Sequence, residues 1–175
     1  MNPLQQYKIG FVGLSLGKHH FSFDIGPDFF LHFGDAAFES GQVVLQLELA
    51  KSNNMMELYF HFSGEVQLVC DRCLGFFAHT VDLQKRLLVK FGEQFIEQSD
   101  EIIIIPAMES HFDISQYVYE YLHLGMPVRK VHPEEEGVAA CDPEVIKRLE
   151  QYRSKQHASD DDSPWNALKT LNFNN

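Results

Sequence analysis

Residues 43–62, VVLQLELAKSNNMMELYFHF, decide the fold, because they contain two runs of alternating polar and apolar side chains. Within each run the apolar residues fall on one face: Val43, Leu45, Leu47, Leu49, Met56, Leu58, Phe60 and Phe62. A period of two indicates β-strands, and polar residues on the opposite face are typical of a sheet that exposes one face to water.

The same alternation extends to both sides of these two strands. It occurs in FSFDI (residues 21–25) and again over residues 81–91, while EIIII (101–105), closed by Pro106, predicts a more fully buried strand. The pair Ser63-Gly64 predicts a tight hairpin between MELYFHF and EVQLVC. Because the connections are short and rich in turn residues, we expect an antiparallel β meander or a partly closed barrel.

Two helices are predicted after the strands, which makes the fold class α+β. Asp113 is a good N-cap for ISQYVYEYL, and Gly125 with Pro127 ends that helix. A second helix is predicted over PEVIKRLEQY, with Pro143 in its first turn. We expect residues 1–153 to form a single α+β domain that carries its CxxC motif in a hairpin.

Residues 154–175 have a different composition from the predicted domain. SKQHASDDDSP is polar and acidic, as in a linker, and SPWNALKTL predicts a short amphipathic helix. Its apolar residues are spaced at i, i+3 and i+6: Trp165, Leu168 and Leu171. A helix this short is unstable alone in water. It therefore either recognises a partner or packs onto the protein's own sheet.

The composition restricts the classes of partner. With 14 Lys and Arg against 25 Asp and Glu, the net charge of −11 disfavours non-specific nucleic-acid binding by the chain as a whole. A basic protein partner fits this charge better, and the alternative is that the acidity only maintains solubility. Three cysteines do not form a secreted disulfide framework, and neither a signal peptide nor a membrane span is recognised. We expect a cytoplasmic protein that does not bind membranes.

The segment VCDRCLGF (69–76) contains two cysteines that could bind a metal or form a redox pair. Cys70 and Cys73 have the spacing of half a zinc site, and Gly75 favours a turn that would bring them together. A structural zinc site needs four ligands, and Cys141 is the remaining cysteine; His132 lies in the same loop, between the two helices. A Cys₃His zinc site is one interpretation. Two buried or idle thiols, or a thiol redox pair of Cys70 and Cys73, are the others.

Motifs of known catalytic sites are absent from the sequence. It contains no glycine-rich phosphate loop, no nucleophile elbow and no pair of acids with apolar flanks. We therefore expect neither catalysis nor a small-molecule substrate.

Three segments together resemble a known family: SGEVQLVCDRCLGFF (63–77), FDISQYVYEYLHLGMPV (112–128), and a terminal helix with one Trp and two Leu. They are similar to the YceD-like family of bacterial and plastid proteins, which is implicated in the accumulation of large-subunit ribosomal RNA. The resemblance covers roughly residues 40–171. It implies a non-catalytic ribosome-biogenesis factor whose partner is a large-subunit precursor, ribosomal RNA or a basic ribosomal protein. A thiol redox protein and an acidic adaptor for a basic protein are the alternatives.

The resemblance also bears on the metal site. Many members of the family look like zinc proteins, with a Cys pair in the hairpin and further cysteines after the helix that ends in Leu-Gly-Met-Pro here. Cys141 matches one of those cysteines, and His132 stands where the family often has another. The ligand set that the resemblance implies is therefore Cys70, Cys73, His132 and Cys141, with one His-for-Cys replacement.

A shared metal would also bring cations together. Arg72 lies inside the CxxC motif, while Arg129 and Lys130 immediately precede the His132 segment. Ligands from both segments would hold these three residues near one ion, where they could contact phosphates without reading sequence. The alternative is that the arginines pair with the acidic residues 134–136.

Overall fold

The computed structural model describes residues 3–34, 40–133 and 141–156. Within these ranges the chain forms a 3₁₀ helix, eight strands and three α-helices, so the predicted α+β class is confirmed. In chain order they are the 3₁₀ helix Pro3–Tyr7, β1 Lys8–Gly10, β2 Gly17–Ile25, α1 Pro27–His32, β3 Ser40–Lys51, β4 Met55–Val69, β5 Phe76–Gly92, β6 Ile96–Ser99, β7 Ile102–Pro106, β8 His111–Asp113, α2 Ser115–Gly125 and α3 Pro143–Gln156.

The described residues group into two compact units. The first comprises the residues up to Val69 together with Phe76–Lys130, and it contains all the strands with α1 and α2. The second comprises Cys70–Gly75 and the described residues from Val131 onward, including α3. The CxxC segment thus groups with the C-terminal part of the chain, although β4 and β5 flank it in sequence. A single domain over residues 1–153 stays a prediction.

The first unit is built on a six-stranded sheet with the order β2-β3-β4-β5-β7-β6. β2 to β5 form the predicted antiparallel meander. β7 then pairs parallel to β5, and β6 pairs antiparallel to β7. β2 and β6 are the edges of this sheet in the described ranges, so the sheet is open and the barrel alternative was wrong. β1 and β8 form a separate antiparallel pair.

The core lies on the face that the sequence predicts. All eight apolar residues of the opening stretch are at most 1% exposed. Ile114, which precedes α2, and Val118 and Leu122 of α2 are fully buried, and the Tyr121 ring of α2 lies edge-on to Phe60 with centroids 5.3 Å apart. Because each buried Leu or Phe side chain contributes about 1.5–3 kcal/mol, this face contributes substantially to the stability of the first unit.

The hairpin predicted at Ser63-Gly64 was wrong, since β4 runs without interruption from Met55 to Val69. Gly64 is paired with Val43 on one side and Val81 on the other. It has a φ of +155°, and a Cβ there would overlap the Gln42 carbonyl oxygen and lie 2.8 Å from the Val43 Cα. The glycine permits a close approach of two backbones, a role that has the same sequence signature as a turn.

The predicted helices are present with shifted boundaries. α2 begins at Ser115, and the Asp113 carboxylate accepts hydrogen bonds from the Ser115 amide (2.9 Å) and hydroxyl (2.6 Å). α3 continues to Gln156, past the residue where the acidic linker is predicted to begin. α1, Pro27–His32, was not predicted, and the predicted tail helix lies outside the described residues. None of the described helices has the length and apolar character needed to cross a membrane.

Candidate metal centre

The CxxC segment forms a closed turn. The Cys70 amide donates to the Gly75 carbonyl, and the Leu74 amide donates to the Cys70 carbonyl, both at 2.9 Å. Leu74 has a φ of +60° and its side chain is 75% exposed. The sequence suggested that Gly75 would ease this turn. In the structure the residue with the left-handed conformation is Leu74. For a residue with a Cβ this conformation costs roughly 1–2 kcal/mol.

Cys141 lies immediately before α3, and the start of that helix is well defined. Pro143 occupies its first position, the Glu144 amide donates to the Asp142 carboxylate (2.8 Å), and the Ile146 amide donates to the Asp142 carbonyl (3.1 Å). These are the interactions of an N-cap with proline at the first helical position. Sequence reasoning had not assigned Asp142 this role, although an Asp-Pro pair is a typical signal for it.

Four donor side chains from the second unit come together: Cys70, Cys73, His132 and Cys141. The Sγ atoms of Cys70 and Cys141 are 3.7 Å apart, and the His132 Nδ1 is 3.5 Å from the Sγ atoms of both Cys73 and Cys141. All four donor atoms lie within 4.8 Å of one another. The structure therefore brings together the four residues that the sequence proposed as ligands.

These distances fit a tetrahedral zinc ion. With Zn–S bonds of about 2.3 Å and Zn–N bonds of about 2.0 Å, ligand atoms at the corners of a tetrahedron lie about 3.5–3.8 Å apart. The three donor distances given above, 3.7, 3.5 and 3.5 Å, have these values, and the remaining pairs of donor atoms lie within 4.8 Å. Cys70 and His132 are buried, while Cys73 and Cys141 are half-buried, so the centre is closed on one side.

The electrostatics of the turn favour a thiolate at Cys70. Burial by itself raises the pKa of this thiol, but backbone amides of Cys73, Arg72 and His132 and the His132 side chain outweigh it and lower the pKa to about 6. Burial raises the pKa of Cys141, as do its hydrogen bonds to Cys70 and Cys73. Zinc binds thiolates, so a preformed thiolate at Cys70 matches the first requirement of the metal.

The geometry does not favour the alternative of a redox pair. The Cys70 side chain is fully buried, whereas a thiol that exchanges disulfides must be accessible to its substrate. The thiol within hydrogen-bonding distance of Cys70 is that of Cys141, which comes from a distant segment. A CxxC dithiol enzyme would instead pair the two cysteines of the motif.

The predicted partner-binding residues are divided between the two units and the residues outside the described ranges. Arg72 is half-buried in the CxxC turn and belongs to the second unit, whereas Arg129 is exposed and Lys130 half-buried at the end of the first. Trp165, Leu168 and Leu171 lie outside the described residues, as do residues 134–136. Their predicted roles stay predictions.

The fold and the donor cluster together define a class: an α+β protein with a four-donor Cys₃His centre. Comparison with family models identifies the family. The model described as "Large ribosomal RNA subunit accumulation protein YceD" matches residues 58–172, more than half of the chain, and the chain belongs to this family. Comparisons with curated proteins and with solved structures give no match.

Proposed function

We propose that the chain is a non-catalytic, cytoplasmic factor that supports the accumulation or maturation of large-subunit ribosomal RNA. Membership of the YceD family supports a role in the accumulation of this RNA. The observation that carries the structural part of the proposal is the clustering of four donor atoms within 4.8 Å of one another. Such a cluster suits a structural zinc ion, because four protein ligands leave no coordination position open for catalysis.

Zinc supplies a rigid connection in this proposal. Cys70 and Cys73 would hold the ion from the CxxC turn, His132 from the segment after Lys130, and Cys141 from the residue before α3. A closed Cys₃His site fixes the separation of these three segments. The protein's own side chains then carry out the recognition.

The cations next to the ligands are the proposed contact with RNA. Arg72 lies between Cys70 and Cys73, and Arg129 and Lys130 lie just before His132. Each cation lies within three residues of a ligand in the sequence. If one metal ion is bound by both segments, these short stretches of chain limit the distance between the cations. Arginine is suited to bidentate phosphate contact, and a few such contacts position a protein on RNA without reading its sequence.

Sedimentation of large-subunit precursors tests the proposal. Arg72→Glu combined with Arg129→Glu should weaken co-sedimentation of the protein with these particles. Association of the wild-type protein should weaken as salt rises, and its difference from the variant should shrink, because the variant makes fewer phosphate contacts. The matched control is Lys147→Glu with Arg148→Glu, which makes the same charge change on exposed positions of α3. Zinc content and folding should be the same in both double variants.

Two outcomes would contradict this contact. Equal loss of co-sedimentation in both double variants would mean that only the overall charge matters. Unchanged co-sedimentation of the Arg72→Glu, Arg129→Glu variant would move the contact from RNA to a basic ribosomal protein. Absence of the wild-type protein from ribosomal particles under all salt conditions would reject the biogenesis role itself.

A further inference from the structure

Besides the donor cluster of the second unit, the structure contains a groove in the first unit that has the properties of a binding site. A groove of about 390 Å³ lies between the edge strand β6, the β7–β8 connection and the first turns of α2. Its apolar lining is aromatic and aliphatic: Phe95, Ile105, Phe112 and Tyr117. Phe95 is 55% exposed, so part of this apolar lining is accessible to a partner.

Carboxylates surround this apolar lining. They are contributed by four separate positions in the chain: Glu97, Glu109, Asp113 and Glu120. All four are exposed, and within the described ranges none of them forms an ion pair with a lysine or arginine, although Lys8 lies opposite Asp113 in the β1–β8 register. Among the described residues that line the groove, His111 is the one side chain that can carry a positive charge. The groove therefore combines an apolar floor with an unneutralised negative rim.

The pKa of Tyr117 shows the effect of these carboxylates. The pKa of its phenol is raised to about 12, first by burial and then by the negative charges of Glu97 and Glu120. Glu97 belongs to β6 and Glu120 to α2, so carboxylates from two elements act on one side chain in the groove. The Tyr117 ring also stacks at an angle on Phe112, with ring centroids 5.7 Å apart, which fixes the floor.

We propose that this groove binds a protein segment in which lysine or arginine side chains flank a bulky apolar side chain. The apolar residue would displace water from the floor, and the flanking cations would pair with the rim carboxylates. RNA is disfavoured because its phosphates would meet four carboxylates. A second copy of this chain is disfavoured as well, because its net charge is −11. The chain's own tail is disfavoured because it carries three aspartates at 160–162.

This surface is independent of the proposed RNA contact. Its residues all belong to the first unit, and none is a proposed metal ligand or one of the three cations assigned to RNA. It adds a protein partner to the proposed function, and it can be tested with purified protein in the absence of ribosomal particles.

The test is fluorescence anisotropy of the full-length protein with a labelled peptide that places Leu-Phe between two Lys-Arg pairs. The protein should bind this peptide, but neither a version with Glu for Lys and Arg nor one with Ser for Leu and Phe. Glu97→Gln with Glu120→Gln should weaken binding about tenfold, which corresponds to about 1.4 kcal/mol. Phe95→Ser should weaken it to a similar extent, and circular dichroism will establish that both variants are folded.

The matched control is Glu144→Gln with Glu150→Gln on α3, which also removes two exposed negative charges. It should leave peptide binding within about twofold of the wild type, which is below 0.5 kcal/mol. Equal weakening by both pairs would overturn the proposal, because the net charge alone would then explain binding. Tighter peptide binding by Trp165→Ala would assign the groove to the chain's own tail, and displacement of the peptide by an oligouridylate would assign it to RNA. Either result would also overturn the proposal.

Discussion

The described residues of the two units bury different kinds of side chain. The first buries more than two dozen apolar side chains, among them the continuous face formed by β2 to β5. In the described part of the second unit, the buried side chains are Cys70 and His132, which are two of the four donors. Its helix α3 leaves Leu149 and Tyr152 exposed by 44% and 71%.

This difference indicates what each unit needs in order to fold. Apolar burial stabilises a sheet with a covered face, but the buried side chains described in the second unit are one thiol and one imidazole, which supply little apolar burial. Small units of this kind usually depend on a metal or on disulfides, and the geometry here fits a metal. We therefore expect the first unit to respond to packing changes and the second to ligand changes.

The largest expected effect is the loss of metal from the second unit. Cys70→Ser or His132→Ala should reduce zinc content sharply, since structural zinc sites contribute apparent binding energies on the order of 10 kcal/mol. Hydrogen exchange should then accelerate in residues 131–133 and 141–156 and stay slow in β3 to β5. Elemental analysis of the purified protein and hydrogen exchange measure the two effects.

His79→Ala is the control for this prediction, because His79 is a half-buried histidine of β5 outside the donor cluster. It should leave the zinc content unchanged. Stoichiometric zinc in a protein that carries both Cys141→Ser and His132→Ala would show that another ligand set holds the ion.

The next effect is expected in the sheet, at Gly64. Gly64→Ala places a Cβ against the β3 backbone and should lower the free energy of unfolding by about 3 kcal/mol, because backbone cannot move aside as a side chain can. The control is Gly13→Ala, whose new Cβ would meet nothing within 4 Å. Urea unfolding measures both variants, and equal stability of the two would contradict the close approach of β3 and β4. Neither substitution should alter the zinc content of the folded protein.

The sequence allowed much of the first unit to be predicted, because a period of two is a local property of each strand. It predicted the buried face of β3 and β4, the meander and the α2 helix. It did not predict the parallel pairing of β5 with β7, nor the continuity of β4 through Gly64. Both depend on which backbones become neighbours, and a single segment contains no information about that.

The candidate centre was predictable for a different reason. Cysteine and histidine are rare enough that their spacing, with the family resemblance, restricted the choice of donors. The left-handed Leu74 was not predictable, because that conformation results from the closure of the turn by two backbone hydrogen bonds. The acidic groove was not predicted from the sequence either, because the residues that line it are spread over positions 95–120 and come together only in the folded protein.

A smaller effect is expected at Leu74. Leu74→Gly removes the cost of a Cβ in the left-handed region and should stabilise the zinc-bound turn by about 1 kcal/mol. Leu74→Ala is the control, because it shortens the same exposed side chain but keeps the unfavourable conformation. Competition with a chelator measures the zinc affinity of both variants. If alanine and glycine tighten binding equally, the effect comes from the lost side chain and not from the backbone.

The smallest effect concerns pH and the exposed face of the sheet. The Tyr59 hydroxyl and the Arg86 guanidinium donate to the same Glu57 carboxylate oxygen, at 2.7 and 2.6 Å. They hold the pKa of Glu57 below its ordinary value of 4.5, with the Tyr59 hydrogen bond as the larger cause and Arg86 as the next. Because the folded-state pKa is the lower one, this stabilisation is complete above the unfolded-state pKa and is lost as the pH falls through the folded-state pKa.

Urea unfolding at neutral pH and below pH 4.5 measures this effect, since urea does not screen charges. Arg86→Gln should lose less stability on acidification than the wild type, and the difference should shrink in high salt because the pair is exposed. Lys8→Gln, at an exposed lysine of β1, should keep the acid dependence of the wild type. An identical acid dependence in Arg86→Gln and Lys8→Gln would show that the ion pair on this face contributes nothing to the stability of the first unit. The acid sensitivity of the first unit would then arise from other carboxylates.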